Sequence, residues 1–247
     1  MMKKKYKWFS FTTERENAEI NVFCFPHAGA GASIYAPWGK KLPEKYSFFP
    51  VQLPMRENRR SEEVPAAMKE LGRQAAFDNA DLFKSRTFVL FGHCFGALAA
   101  YETAVTLQKE FSCSPILLIT AASGYPHIVT GAADLDSMDR EALVEHFVGL
   151  GYITREMTEN EAYLDFFIPA LKADCGLVHK YEPEGIRVNC PIYAPYGCDD
   201  NSVSAETAEK WKDFTSAASK SEVYDGGHFF LDADSFPEML EKGMKII

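Results

Sequence analysis

A cysteine flanked by glycines forms the most informative short motif of the chain. Gly92-His93-Cys94-Phe95-Gly96 directly follows an apolar run at 87–91 and opens an alanine-rich stretch. A nucleophile on a sharp strand-to-helix turn needs small residues two before and two after it, because the backbone segments approach closely there. A helix N-terminus also favours an anion and lowers the pKa of a thiol. The motif therefore predicts a nucleophile elbow with Cys94 as the nucleophile.

Acidic residues and a histidine follow later in the chain, each directly after an apolar run. Asp199 and Asp200 follow the run at 190–196, and His228 follows the run at 220–224. Nucleophile, acid and histidine thus occur in the order found in α/β-hydrolases. We expect His228 to act as general base and acid, and one of the two aspartates to hold its tautomer. The residue pattern leaves both aspartates as candidates.

A segment of small residues, P-H-A-G-A-G-A at 26–32, follows the first predicted strand. Such a turn brings a backbone N–H towards the nucleophile. The N–H groups of Ala28 and Phe95 are therefore our candidates for an oxyanion hole, which stabilises charge on the carbonyl oxygen. A phosphate-binding loop is the other function of such a segment, but no Gly-Lys-Ser/Thr follows it.

Six apolar or β-branched runs, which alternate with helical patterns, would position these residues. Several runs are apolar at successive positions, as expected for strands buried on both faces of a parallel sheet. The alternation predicts an α/β fold with a mostly parallel central sheet flanked by helices, in a single domain over 1–247. The predicted strands are 21–25, 48–53, 87–91, 115–120, 190–196 and 220–224.

The stretch from about 125 to 185 lacks a strand pattern and contains two helical segments, 138–150 and 159–181. Pro169 should kink or divide the second segment. A helical insertion between two strands of an α/β sheet predicts a lid over the site. The alternative is that both helices pack on a larger core.

Composition and charge restrict the possible partners. The chain has 247 residues, of which 47% are hydrophobic, and a formal net charge of −9. These values exclude intrinsic disorder and argue against nucleic acid or an anionic membrane as the main partner. The basic start at Lys3–Lys5 is followed by polar residues, unlike a secretory signal. We expect a cytoplasmic monomer without a membrane-spanning segment.

The cysteines and histidines give little indication of a metal or a disulfide framework. The six cysteines form no C-x-x-C pair, which is typical of free thiols. Cys175 and His179 stand four residues apart on a predicted helix, but no matching pair occurs elsewhere in the sequence. We therefore expect no metal site.

The chain resembles the type II thioesterases of nonribosomal peptide and polyketide synthesis over nearly its whole length. The shared motifs are F-P-H-A-G-A at 25–30, Q-L-P-M-R-E-N-R at 52–59, F-G-H-C-F-G-A at 91–97, F-F-I-P-A-L-K-A-D at 166–174 and D-G-G-H-F-F at 225–230. The resemblance implies an α/β-hydrolase with Asp200 as the acid and His228 as the base. It also implies hydrolysis of acyl or aminoacyl thioesters on the phosphopantetheine arm of carrier proteins. The substrate carries the phosphopantetheine, so no separate cofactor is expected.

The chain departs from the family pattern at a few positions. Cys94 stands where serine is usual, Met55 where glycine is usual, and Cys175 and His179 where an aromatic and an acidic residue are more usual. Since the substrate is itself a thioester, attack by Cys94 exchanges one thioester for another at nearly equal free energy. This chemistry suits a second function, acyl or aminoacyl transfer between carrier proteins. A third possibility is a non-catalytic carrier-docking module, which the intact aspartate and histidine argue against.

Three arginines follow the predicted strand at 48–53, at the edge where open α/β folds bind ligands: Arg56, Arg59 and Arg60. Carrier proteins are typically acidic, as this chain is, so docking would need a local basic patch. We predict that the three arginines form that patch. The alternative is that they pair with neighbouring glutamates, Glu57, Glu62 and Glu63.

Overall fold

A six-stranded sheet forms the centre of the molecule in the computed structural model, which describes residues 6–128, Leu135 and 138–247. The strand order is β2-β1-β3-β4-β5-β6, and every pairing is parallel. The prediction of a mostly parallel sheet is therefore confirmed. The strands are β1 (Ile20–Phe25), β2 (Tyr46–Pro50), β3 (Thr87–His93), β4 (Leu117–Ala121), β5 (Ile192–Gly197) and β6 (Ser219–Tyr224).

The second strand differs most from its predicted range, 48–53. It begins at Tyr46 and ends at Pro50. The Val51 N–H still donates to the carbonyl of Cys24 in β1 at 2.8 Å. The chain leaves the sheet at Gln52, whose N–H donates to the carbonyl of Trp8 at 2.7 Å.

Helices cover both faces of the sheet, as predicted. Side chains along β1 alternate between two apolar clusters, with Phe23 and Phe25 in one cluster and Val22 and Cys24 in the other. No helix within the described ranges is long and apolar enough to cross a membrane. The helices that flank the strands are α1 (Trp38–Lys41), α2 (Met68–Asp78), α3 (Ala80–Ser85), α4 (Phe95–Phe111), α8 (Ala205–Glu209) and α9 (Phe236–Met244).

Among the described residues, three α-helices lie between β4 and β5, in the stretch where the sequence predicts an insertion. They are α5 (Arg140–Gly149), α6 (Arg155–Thr158) and α7 (Glu161–His179). Helix α7 is continuous through Pro169, so the expected division does not occur. Pro169 is exposed, whereas Ile168, Ala170 and Leu171 are buried, and their packing keeps the helix together.

Two parts of the sequence predictions fall on residues that the structure does not describe. They are the basic start at Lys3–Lys5 and residues 129–134 and 136–137 of the predicted lid, which all lie outside the described residues.

The carboxyl ends of the strands meet at one edge of the sheet, because the strands are parallel. The residues of interest follow these ends directly. Ala28 follows β1, Cys94 follows β3, Asp200 follows β5 and His228 follows β6. The fold therefore brings together residues that are far apart in the sequence.

Candidate active site

The turn that carries Cys94 has the backbone geometry of a nucleophile elbow. Cys94 has φ 54° and ψ −117°, a conformation that a residue with a side chain rarely adopts, and it caps the N-terminus of α4. A Cβ at Gly92 would overlap the backbone of Gly96 and Ala97. A Cβ at Gly96 would overlap the backbone of the chain after β1. Glycine is therefore required on both sides of the cysteine.

Asp200, and not Asp199, contacts the predicted catalytic histidine. His228 Nδ1 donates to Asp200 Oδ2 at 2.8 Å, and the Ser202 N–H donates to Asp200 Oδ1 at 2.8 Å. The side chain of Asp200 is fully buried, whereas Asp199 is exposed. Burial opposes ionisation of Asp200, but the hydrogen bond and charge of His228 hold its pKa below the ordinary value. Asp200 is therefore placed as a carboxylate that fixes the His228 tautomer.

The electrostatics of Cys94 and His228 favour an ion pair. Burial opposes ionisation of the Cys94 thiol. The hydrogen bond and charge of His228, with hydrogen bonds from Tyr152 and the Phe95 N–H, nevertheless lower the pKa of the thiol. Burial also disfavours protonated His228, but its bonds to Asp200 and Cys94 raise its pKa to about 10. These interactions stabilise the thiolate of Cys94 and the imidazolium of His228 against the cost of burial.

A tyrosine that the sequence analysis did not identify completes this group. The hydroxyl oxygen of Tyr152 lies 2.8 Å from Cys94 Sγ and 3.1 Å from His228 Nε2. Tyr152 stands in the short segment between α5 and α6, and its ring packs edge-on against Phe147 and Phe229. No motif marks this position, because only the packing of the inserted helices brings it to the cysteine.

Two further histidines lie next to His228 and remain neutral. His93 donates through Nε2 to the His228 carbonyl at 2.9 Å, and burial places its pKa well below the ordinary value. Burial likewise lowers the pKa of His27 to about 4. His228 is therefore the histidine of this group that carries a charge at neutral pH.

Ala28 and Phe95, whose N–H groups are the predicted oxyanion hole, lie beside the cysteine. Both residues line a cavity of about 410 Å³ together with Cys94 and His228. The turn that carries Ala28 is held by the Ala30 N–H, which donates to the His27 carbonyl at 3.1 Å. The oxyanion hole at Ala28 and Phe95 stays a prediction, and the cavity lining agrees with it.

The remaining wall of this cavity is mainly apolar, which fits an acyl chain. Cys175 and His146 are among its more polar residues. Within the described ranges, no group of three or more His, Cys, Asp and Glu side chains is arranged to hold a metal ion. The apolar side chains of the wall include Leu98, Leu135, Phe147, Leu150, Val178 and Val203.

The prediction of a three-arginine docking patch is wrong for two of its members. Arg56 is 5% exposed and pairs with the buried carboxylate of Asp174. The carboxylate needs a cation as a partner, because burial of an isolated charge is energetically costly. Arg59 is 2% exposed and pairs with Glu62 at 2.8 Å, as the alternative prediction holds. Of the three arginines, Arg60 alone is exposed.

The loop that carries these arginines keeps a glycine-like backbone without glycine. Met55 has φ 70°, in the left-handed region that glycine adopts readily. Met55 therefore holds a strained backbone conformation, at a position where the resemblance implies glycine.

Comparisons with known proteins identify the family of the chain. A family model described as a thioesterase domain matches residues 20–246. The gramicidin S biosynthesis protein GrsT of Aneurinibacillus migulanus is 28% identical, covering 95% of this chain and 91% of that protein. The medium-chain S-acyl fatty acid synthase thioesterase of the rat (Rattus norvegicus) is 27% identical, and the match covers 88% of this chain and 84% of that protein.

A solved structure extends the likeness to three dimensions. The RedJ thioesterase from the prodiginine biosynthetic pathway of Streptomyces coelicolor superposes with a TM-score of 0.83 at 28% identity. The match covers 92% of this chain and 91% of that chain. The predicted α/β-hydrolase fold is therefore confirmed.

Proposed function

Because this chain belongs to the thioesterase family, we propose that it hydrolyses acyl or aminoacyl thioesters on the phosphopantetheine arm of carrier proteins. The relatives named above for gramicidin S and prodiginine biosynthesis support a role in nonribosomal peptide or polyketide synthesis. The phosphopantetheine belongs to the substrate, and the enzyme itself needs no cofactor. We further propose that it acts as a monomer in the cytoplasm.

The observation that carries this proposal is the contact chain from Asp200 through His228 to Cys94 at the mouth of an apolar cavity. The aspartate holds the imidazole at 2.8 Å, and the imidazole lowers the pKa of the thiol. The lowered pKa favours the thiolate form of the cysteine, which is the form that acts as a nucleophile. A non-catalytic docking module would not need this arrangement.

Catalysis then proceeds in two steps. Cys94 Sγ attacks the thioester carbonyl, the N–H groups of Ala28 and Phe95 stabilise the oxyanion, and His228 donates its proton to the departing pantetheine thiol. In the second step His228 removes a proton from water, which attacks the acyl group on Cys94 and releases the free acid. The apolar cavity holds the acyl chain during both steps.

The cysteine favours a second candidate function, transfer of the acyl group to another thiol. The acyl-Cys94 intermediate is a thioester, so its free energy is close to that of the carrier-bound substrate. The thiolate of Cys94 is also a better leaving group than a serine alkoxide. An acceptor thiol can therefore receive the acyl group as readily as Cys94 accepted it.

A labelled carrier protein tests these functions directly. The enzyme is mixed with radiolabelled acyl-carrier, with and without a second carrier that has an empty phosphopantetheine arm. Free acid in both reactions indicates hydrolysis, and label on the second carrier indicates transfer. Cys94→Ala should lower both products about 10³-fold or more, whereas the matched control Cys113→Ala should lower neither. Normal turnover by Cys94→Ala would refute both functions.

A further inference from the structure

The hydroxyl of Tyr152 stands between the two groups that carry out the chemistry. Its oxygen is 2.8 Å from Cys94 Sγ and 3.1 Å from His228 Nε2. Hydrolysis of acyl-Cys94 requires a water molecule within hydrogen-bond distance of His228 Nε2 and next to the acyl carbon. The tyrosine hydroxyl lies within hydrogen-bond distance of His228 Nε2 and of the sulfur that would carry the acyl group.

We propose that Tyr152 is a catalytic residue that excludes water from His228 and thereby directs the acyl group on Cys94 towards an acceptor thiol. This inference rests on the second candidate of the proposed function, acyl transfer, since it requires an acyl-Cys94 intermediate that an acceptor thiol can attack. It identifies the side chain that sets the ratio of transfer to hydrolysis, which the cysteine alone does not determine.

The hydrogen bond of Tyr152 changes partner as the reaction proceeds. Burial, followed by the negative charge of Cys94, raises the pKa of the Tyr152 hydroxyl well above its ordinary value, so the group stays protonated. It donates to the sulfur while Cys94 is a thiolate. Acylation removes that charge, and the hydroxyl then donates to the lone pair of neutral His228 Nε2. This is the lone pair that would otherwise accept a proton from water.

The ring of Tyr152 is fixed by its neighbours, which strengthens the exclusion of water. Its centroid lies 5.1 Å from that of Phe229 and 5.5 Å from that of Phe147, both edge-on, and 5.4 Å from the His228 ring. A single water molecule has too few contacts to displace a ring held on three sides.

A second cavity gives the pantetheine arm of an acceptor access to the ring of Tyr152. Tyr152 lines the cavity of about 410 Å³ next to Cys94 and also a second cavity of about 460 Å³. Met55, Arg60 and Phe166 line the second cavity, and Arg60 and Phe166 are exposed. Rotation of Tyr152 would therefore connect the acyl cavity with a cavity that reaches the surface. Contacts of a pantetheine arm in the second cavity can drive this rotation, which water cannot do.

The two fates of the intermediate differ only in the attacking group. In transfer, the acceptor R–SH gives its proton to His228, its sulfur forms a bond to the acyl carbon, and the bond to Cys94 Sγ breaks. The products are acyl–S–R and the Cys94 thiolate beside protonated His228. In hydrolysis, water takes the place of R–SH, and the products are the free acid and the same form of the enzyme.

The test measures this partition in the full-length enzyme. Cys94 is acylated with labelled acyl-carrier, pantetheine is added as the acceptor thiol, and labelled acyl-pantetheine and labelled acid are counted. Tyr152→Phe removes only the hydroxyl, and Tyr152→Leu also removes the ring. The matched control is Tyr193→Phe, which removes a hydroxyl bonded at 2.8 Å to Tyr224 on the opposite face of the sheet. Intact mass spectrometry records the acyl adduct on each variant.

We expect the ratio of acyl-pantetheine to acid to fall about tenfold in Tyr152→Phe and further in Tyr152→Leu, with no change in Tyr193→Phe. An unchanged ratio in Tyr152→Phe, with a normal acyl adduct, would overturn the inference and leave the proposed function intact. An equal loss of both products would also overturn it, because the residue would then be merely structural. Absence of the adduct and of both labelled products in the unmodified enzyme would overturn the inference and the proposed function together.

Discussion

The guanidinium of Arg56 and the carboxylate of Asp174 form a buried ion pair between the loop after β2 and helix α7. The two side chains are 5% and 1% exposed. Asp174 Oδ2 also accepts from the Gly29 N–H at 2.8 Å, next to Ala28 of the proposed oxyanion hole. One carboxylate therefore connects the inserted helix, the arginine loop and the turn beside the nucleophile.

Asp174→Ala should lower the free energy of unfolding by about 3 kcal/mol, because it leaves the Arg56 charge buried without a partner. Thermal denaturation measures this loss. The control is Asp165→Ala, on the same helix as Asp174, which breaks an exposed pair with Arg140 of α5. It should cost less than about 1 kcal/mol. Equal losses in the two variants would show that burial of the pair has no special importance.

Alkylation of Cys94 should report its lowered pKa. Because the thiolate reacts, the labelling rate rises with pH through this pKa, and we expect the midpoint to lie below the ordinary thiol value of about 8.5. His228→Ala removes the interaction that stabilises the Cys94 thiolate most, so it should move the midpoint of the labelling profile to higher pH. Rates of iodoacetamide labelling, followed at Cys94 by peptide mass spectrometry, measure both profiles. A midpoint that does not respond to His228→Ala would contradict the ion pair.

Turnover should have a separate limit at alkaline pH. Acylation needs protonated His228 to supply a proton to the departing thiol, and the pKa of His228 is raised to about 10. Activity is therefore expected to hold up to this pH and to fall above it, as His228 loses its proton. The pH profile of single-turnover acylation measures the limit, and a decline already near pH 7 would argue against the assigned role.

Met55→Gly should stabilise the protein, because glycine adopts the observed φ of 70° without steric strain. We expect a gain of about 0.5–1 kcal/mol, after the greater flexibility of unfolded glycine is subtracted from the relief of strain. Met55→Ala is the matched control, since it shortens the side chain but keeps the strained backbone. Chemical denaturation of both variants measures the difference, and a gain limited to Met55→Ala would contradict the explanation.

Two glycine-to-alanine substitutions should have opposite effects. A Cβ at Gly96 would overlap the backbone carbonyls of Phe25 and Pro26, so Gly96→Ala should destabilise the protein by several kcal/mol, roughly 3 or more, and disrupt the elbow. A Cβ at Gly176, within α7, meets no heavy atom within 4 Å. Gly176→Ala should therefore stabilise the protein by about 0.5–1 kcal/mol. Thermal denaturation of both variants tests this contrast.

The amino-acid sequence by itself determined the local geometry of the site. The glycines beside Cys94 permit a turn that any other residue would obstruct, so their spacing reveals the elbow before any tertiary contact is known. Apolar runs likewise predicted the parallel sheet, because strands buried on both faces have little room for polar residues. These features depend on the sterics and hydrophobicity of neighbouring residues, which a short stretch of sequence contains.

Tertiary structure alone decided the features that depend on distant contacts. Arg56 belongs to a basic motif that the sequence predicts to be exposed. In the structure it forms a buried ion pair with Asp174, which is 118 residues away in the sequence. Tyr152 carries no motif, and it reaches Cys94 only because the inserted helices pack over the carboxyl edge of the sheet. Burial and side-chain contact are properties of the whole packed chain, since each depends on where every neighbouring element comes to lie.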